Sequence, residues 1–60
     1  MRDKERIKDI LERLEKIWNE YPDLRLGQLI LNVYSDPTLY YVEDDKLLSA
    51  MESLYLKNED

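Results

Sequence analysis

The chain has no histidine, no cysteine and only one glycine among its 60 residues. Histidine and cysteine are the side chains that most often serve as acid, base, nucleophile or metal ligand near neutral pH. Without them the chain has no disulfide and no Cys/His zinc site to reinforce a small core. We therefore expect a non-enzymatic protein with no catalytic residues, no cofactor and no metal site, held together by apolar packing.

Long apolar runs are also missing. The longest uninterrupted aliphatic run covers residues 29–31, which is far too short to span a membrane. No apolar segment typical of a secretory signal follows Met1. These absences predict a soluble, cytoplasmic protein without membrane partners. A chain of 60 residues forms one domain, 1–60, near the lower limit for folding alone.

The acidic excess of the chain is confined to its second half. Residues 1–30 contain seven Lys or Arg and seven Asp or Glu, whereas residues 31–60 contain two and seven, which accounts for the net charge of −5. Such a chain gains no counterion-release energy from nucleic acid and is repelled by anionic membranes. The imbalance favours a basic protein partner.

Residues 3–21 have the spacing of an amphipathic helix. Asp3 is suited to the N-cap, and Pro22 ends the helix because it disfavours helical geometry at the preceding residue. Asp9 and Arg13 form an i,i+4 pair of opposite charge, which we assign to the face opposite the apolar stripe. The stripe itself recurs at helical intervals: Ile7, Ile10, Leu11, Leu14, Ile17, Trp18 and Tyr21.

Two further helices are predicted, at residues 24–34 and 44–57. The second helix follows a Pro-Asp turn in which Asp23 can act as a cap, and we attribute Gly27 within it to a close approach of two helices. A helix start near Leu26 would also lessen the cost of this glycine. A strand is the alternative, because Ile, Val and Tyr favour strands, but the apolar alternation is poor. The third helix begins with acids that favour the positive helix end. Residues 39–42 are expected to be extended or irregular.

Three helices with short connections predict an all-α fold, a small three-helix bundle. Five leucines outside the predicted core would form an apolar patch for a homodimer if they were exposed together: Leu24, Leu31, Leu39, Leu47 and Leu56. The predicted core collects the three apolar stripes: Ile7, Ile10, Leu11, Leu14, Ile17, Trp18, Leu26, Leu29, Ile30, Val33, Leu48, Met51 and Leu54.

Two segments carry a family resemblance. Residues 21–30 read Tyr-Pro-Asp-Leu-Arg-Leu-Gly-Gln-Leu-Ile, and residues 40–47 read Tyr-Tyr-Val-Glu-Asp-Asp-Lys-Leu. Together with Trp18 they resemble a group of short bacterial and phage proteins of unknown function, similar to the YihD-type proteins. That group shares a tryptophan, a Pro-Asp-Leu turn into an apolar helix and a paired-acid helix start. The resemblance implies a bacterial or phage source and carries over no activity.

Tyr40 and Tyr41, followed by Glu43, Asp44 and Asp45, form the candidate partner-binding site, an aromatic-acidic patch. Tyrosine provides rigid contact area and a hydroxyl group, and it is enriched at protein interfaces. In the alternative interpretation, the rings only cover core edges and the acids only stabilise a helix start. The acids are a poor divalent-cation site, because three successive residues entering a helix point in different directions.

The sequence thus predicts a small protein-interaction module that binds another protein or a second copy of itself. One alternative is an acidic phage-type inhibitor that mimics nucleic acid, for which a continuous acidic stripe would be needed. Another is a small helical nucleic-acid-binding domain. It is disfavoured because the second and third helices have almost no cations to meet phosphate.

Overall fold

The computed structural model describes residues 3–35 and 37–56, and within them it confirms the all-α three-helix prediction. The helices are α1 (Glu5–Glu20), α2 (Leu26–Leu31) and α3 (Asp44–Tyr55), and a 3-10 helix, Thr38–Tyr41, precedes α3. No residue in the described ranges lies in a strand, so the strand alternative for the second apolar run is wrong.

Helix α1 begins and ends close to where its sequence signals lie. The carboxylate of Asp3 accepts a hydrogen bond from the Glu5 backbone N–H at 2.9 Å, which satisfies one of the free donors of the first turn. At the other end Tyr21 leaves helical geometry immediately before Pro22. The predicted bounds, 3–21, are therefore one or two residues too long at each end.

Helix α2 is much shorter than the predicted 24–34. Arg25 has extended backbone geometry and precedes the helix, and its N–H donates to the Gln28 side-chain oxygen at 2.8 Å. Gln28, rather than Asp23, thus supplies the side-chain cap at this end. After Leu31 the chain continues in tight turns in which Val33 and Tyr34 both donate to the Ile30 carbonyl.

The segment predicted as extended or irregular is a 3-10 helix. A 3-10 helix has three residues per turn, so side chains three apart share a face. Leu39 and Val42 are three apart and both are half-buried, whereas Tyr40 and Tyr41 fall on the outer side and are exposed. The tight winding therefore separates the aliphatic residues of this segment from its tyrosines. The predicted helix end at Lys57 lies outside the described residues, and α3 ends at Tyr55.

Helices α1 and α3 make the main packing contact of the fold and run in the same direction. Arg6 contacts Asp44, Arg13 contacts Glu52, and farther along both helices the Tyr21 ring contacts the Tyr55 ring. A parallel pair needs a return path, which α2 and the 3-10 helix provide. The buried core lies where these elements meet: Ile17, Leu29, Leu48 and Met51.

The predicted core is wrong at four positions. A short α2 and a single packing partner leave part of the α1 stripe and the outer edges of α2 and α3 uncovered: Ile7, Leu11, Leu26 and Leu54 are exposed. Three of the five leucines placed outside the core pack against it instead: Leu24, Leu47 and Leu56. Leu31 alone of these five is exposed, so they form no common apolar patch.

Two aromatic side chains tie the connections to the helices by hydrogen bonds. Trp18 donates from its indole N–H to the Leu24 carbonyl at 2.8 Å, joining α1 to the turn before α2. Tyr55 donates from its hydroxyl to the Leu29 carbonyl at 2.8 Å, joining α3 to α2, and accepts a hydrogen bond from Asn32.

Among the described residues, no helix has both the length and the apolar character needed to cross a membrane.

Met51 and Leu54 offer a direct test of the observed core, because both lie on α3 and both were predicted to be buried. Met51 is fully buried and Leu54 is 50% exposed. Met51→Ala should lower the free energy of unfolding by about 2–5 kcal/mol through the cavity it leaves. Leu54→Ala should cost about 1 kcal/mol or less, since its side chain already meets water. Urea denaturation measures both, and equal losses would contradict this burial pattern.

Gly27 is not explained by a close helix approach. A Cβ at this position would meet no atom within 4 Å beyond its own helix backbone and chain neighbours. Gly27→Ala should therefore raise the free energy of unfolding by about 0.5 kcal/mol, because alanine restricts the unfolded chain and favours the helix. A thermal melt that shifts downward in this variant would show that the space around Gly27 is needed.

Candidate docking surface

Tyr40 and Tyr41 form the most exposed aromatic surface among the described residues. Their side chains are 84% and 81% exposed, and their ring centroids lie 4.9 Å apart in an edge-to-face arrangement. The 3-10 helix produces this geometry by turning both residues away from the half-buried Leu39 and Val42. The interpretation in which these rings cover core edges is therefore wrong for both tyrosines.

The three acids of the predicted patch lie at the junction of the 3-10 helix and α3. Glu43 is the residue before α3, and Asp44 and Asp45 occupy its first turn, where negative charge favours the helix dipole. Asp44 accepts a 2.8 Å hydrogen bond from the Arg6 guanidinium, and Asp45 accepts one of 3.0 Å from Arg13. Two of the acids thus join α3 to α1 through arginines of α1.

Arg13 is the centre of a polar cluster between α1 and α3. Its Nε and Nη2 atoms donate to the two carboxylate oxygens of Glu52 at 2.8 and 3.0 Å, which is a bidentate pair. Its Nη1 atom donates to Asp45, and Nη2 also donates to the Ser49 hydroxyl at 3.3 Å. One guanidinium therefore contacts three successive positions along one face of α3. We call these four residues, Arg13, Asp45, Ser49 and Glu52, the Arg13 clasp.

The Arg13 clasp shifts the protonation of both partners. The hydrogen bond from Arg13 lowers the pKa of Glu52 below its ordinary value of 4.5, and the Arg13 charge acts in the same direction. Partial burial of Glu52 opposes this effect without reversing it. In turn, the hydrogen bond to Glu52 raises the pKa of Arg13. Both groups are therefore fully charged at neutral pH, as the bidentate contact requires.

Arg13 lies on the side of α1 that contacts α3, so its predicted place on the opposite face is wrong. It lies three residues after Ile10 and four before Ile17, which is the spacing of residues on one helix face. That spacing would have been the signal for a core-edge arginine. The expected pair with Asp9 is present but long, at 3.9 Å, because the guanidinium is turned toward α3.

A second surface feature is an open groove of about 390 Å³ beside the last turns of α1. Its lining is mostly apolar, with Glu15 and Asn19 as the polar side chains. The residues that line it are Leu11, Leu14, Glu15, Trp18, Asn19 and Pro22. The groove lies on a part of the α1 stripe that neither α2 nor α3 fills. Within the described part of the chain, no three acidic side chains come together as a metal-ion site.

Comparison with known protein families, with curated proteins and with solved structures finds no match to this chain. The resemblance to the YihD-type proteins therefore stays a prediction, and functional argument rests on the two surfaces described above.

The Arg13 clasp predicts a specific pH dependence of stability. Because the pKa of Glu52 is lowered by folding, its contribution is present above its ordinary pKa of 4.5 and is lost as the pH falls through the folded-state pKa. Glu52→Gln should lower the free energy of unfolding at pH 7 by about 1 kcal/mol, a value reduced for the 34% exposure of its side chain. The difference between wild type and variant should shrink below pH 4.5.

Asp45→Asn is the matched control, because Asp45 contacts the same guanidinium from a side chain that is 81% exposed. Its loss at pH 7 should be about 0.5 kcal/mol or less. Chemical denaturation at a series of pH values measures both variants. A Glu52→Gln loss that is the same at pH 3 and pH 7 would contradict the role of the Glu52 charge.

Proposed function

We propose that this protein is a small non-enzymatic interaction module that binds a basic protein segment through Tyr40 and Tyr41. The observation that carries the proposal is the pair of adjacent tyrosines, each more than four-fifths exposed and in contact with each other. Exposed rings of this kind contribute little to folding, whereas tyrosines form the anchors of many protein interfaces.

The tyrosines are already partly ordered in the free protein. Tyr40 donates its backbone N–H to the Pro37 carbonyl, and Val42 donates to the Leu39 carbonyl, so the turn that carries both rings is hydrogen-bonded. The edge-to-face contact further limits the ring positions. Binding at these rings would therefore cost less conformational entropy than binding at a flexible loop, because the segment that carries them is already ordered.

The charge around the tyrosines favours a basic partner. Glu43, Asp44 and Asp45 follow them in the chain after Val42, and the Asp45 side chain remains 81% exposed while it contacts Arg13. Lys or Arg side chains from a partner would meet both the carboxylates and the tyrosine faces, which attract cations. Basic segments with an apolar or aromatic residue between the charges fit this combination best.

The same contacts make nucleic-acid mimicry the weaker proposal. Arg6 and Arg13 neutralise part of the acidic surface at the start of α3, whereas a mimic needs carboxylates left free for a basic groove. Binding of nucleic acid itself would need a cationic surface, and here two of the arginines of α1 are already paired with acids of α3. We also propose that the protein is cytoplasmic and comes from a bacterium or a phage.

Selection from a random peptide display library tests the proposal. We expect the recovered peptides to be rich in Lys and Arg, and to bind more weakly as the salt concentration rises. In the double variant Tyr40→Ser/Tyr41→Ser, the dissociation constant for a recovered peptide should rise by at least about tenfold, as measured by fluorescence anisotropy. Its thermal melt should stay close to that of the wild type, since neither side chain is buried.

Leu31→Ser provides the control, because it removes an exposed apolar side chain from α2 rather than from the tyrosine pair. This variant should bind the recovered peptides as the wild type does. Peptides that are acidic or neutral, or binding that survives the tyrosine double variant, would refute the proposed surface.

A further inference from the structure

Helix α1 has a wider apolar stripe than its neighbours cover. Ile10 and Ile17 lie on the side of Arg13, which contacts α3. The next positions around the helix are Ile7 and Leu11, whose side chains are 48% and 56% exposed. With Leu14 and Trp18, which are half-buried and pack in part against the core, they continue at intervals of four, three and four residues, the a and d spacing of a coiled-coil seam. We call these four residues the α1 seam: Ile7, Leu11, Leu14 and Trp18.

The α1 seam has different shapes at its two ends. The groove of about 390 Å³ is lined by Leu11, Leu14 and Trp18 of the seam. At the N-terminal end Ile7 does not line the groove and is 48% exposed. Ile7 of one copy can enter the groove of a second copy only when the two seams run in opposite directions.

The charges beside the α1 seam also differ between its two ends. Lys8 and Glu15 are seven residues apart, two helical turns, and therefore lie on one flank of the seam. Both are exposed, and neither forms an ion pair within the part of the chain that the structure describes. The positive charge is beside the protruding end and the negative charge is beside the groove.

We propose that the α1 seam binds the seam of a second copy of this chain in antiparallel orientation. A two-fold axis across the middle of α1 keeps each flank on its own side and exchanges the two ends. Lys8 of each copy then faces Glu15 of the other, and Ile7 of each copy packs beside Trp18 of the other. A two-fold axis must pass midway between the two residues that it pairs. The midpoint between Lys8 and Glu15 lies one residue, about 1.5 Å along the helix, from the midpoint between Ile7 and Trp18. One axis can therefore produce both contacts.

A parallel pair of seams lacks this complementarity. In parallel orientation the Lys8–Glu15 flank would face the opposite flank of the second copy, where Ile10 and Ile17 already pack inside the protein. The antiparallel dimer also has little ordering cost, because α1 is already held in place by the Arg13 clasp. A seam of two heptads would not form a stable coiled coil from unfolded peptides, but here the helix exists before association.

The first measurement is the solution mass by light scattering across a concentration series. We expect the mass to rise from 7.3 kDa toward twice that value. Trp18 is the only tryptophan of the chain and lies in the groove, so its emission should shift to shorter wavelength over the same range. A mass of 7.3 kDa up to about 1 mM would overturn the proposal.

Charge exchange tests the orientation. Lys8→Glu places two acids opposite each other in the antiparallel dimer, and Glu15→Lys places two bases opposite each other, so each single variant should dissociate at concentrations where the wild type is dimeric. An equimolar mixture of the two variants restores opposite charges at both contacts and should recover the doubled mass. The double variant Lys8→Glu/Glu15→Lys should also dimerise, because its charges are exchanged in register.

Two controls separate the α1 seam from general charge effects and from the tyrosine pair. Glu20→Lys makes the same charge change as Glu15→Lys from an exposed position five residues away, about 140° around the helix from Glu15, and should leave the dimer intact. Tyr40→Ser/Tyr41→Ser should also leave the dimer intact, since those rings lie outside the seam. If both single charge variants dimerise as the wild type does, or if their mixture fails to recover the dimer, the antiparallel seam is ruled out.

Discussion

The bidentate contact between Arg13 and Glu52 is the interaction on which the arrangement of this small protein depends. It lies beside a core of four buried residues, which alone supplies little apolar burial for a domain of 60 residues. A charged contact that is partly shielded from water adds direction that apolar packing lacks, since a guanidinium fork matches only one placement of a carboxylate. The position of Glu52 relative to Arg13 thus fixes the register of α3 on α1.

This register has consequences for both functional surfaces. With α1 and α3 parallel, the start of α3 lies near the start of α1, where Arg6 meets Asp44. The 3-10 helix that leads into α3 is held there and presents Tyr40 and Tyr41 outward. On the other side, Arg13 directs the Ile10–Ile17 face of α1 toward α3, so that Ile7 and Leu11 stay in solvent. This contact and the shortness of α2 together leave Ile7 and Leu11 uncovered.

Local signals in the sequence predicted the helices better than the packing. The cap at Asp3 and the stop at Pro22 act within a few residues, so the bounds of α1 follow closely from them. The assignment of core residues failed at Ile7, Leu11, Leu26 and Leu54, because periodicity identifies an apolar stripe but not how much of it a neighbour covers. Gly27 was misassigned for the same reason: its surroundings depend on elements distant in sequence.

The sequence by itself determined that the protein is all-α, where α3 begins and, within two residues, where α1 begins. It also determined that residues 40–45 join tyrosines to acids, because these properties depend on local spacing and residue type. Only the tertiary structure decided that Asp44 and Asp45 pair with arginines of α1, that Arg13 faces the core edge, and that the tyrosines are exposed. The physical reason is that ion pairs and burial depend on distances between residues more than thirty positions apart, which chain folding sets and local pattern does not record.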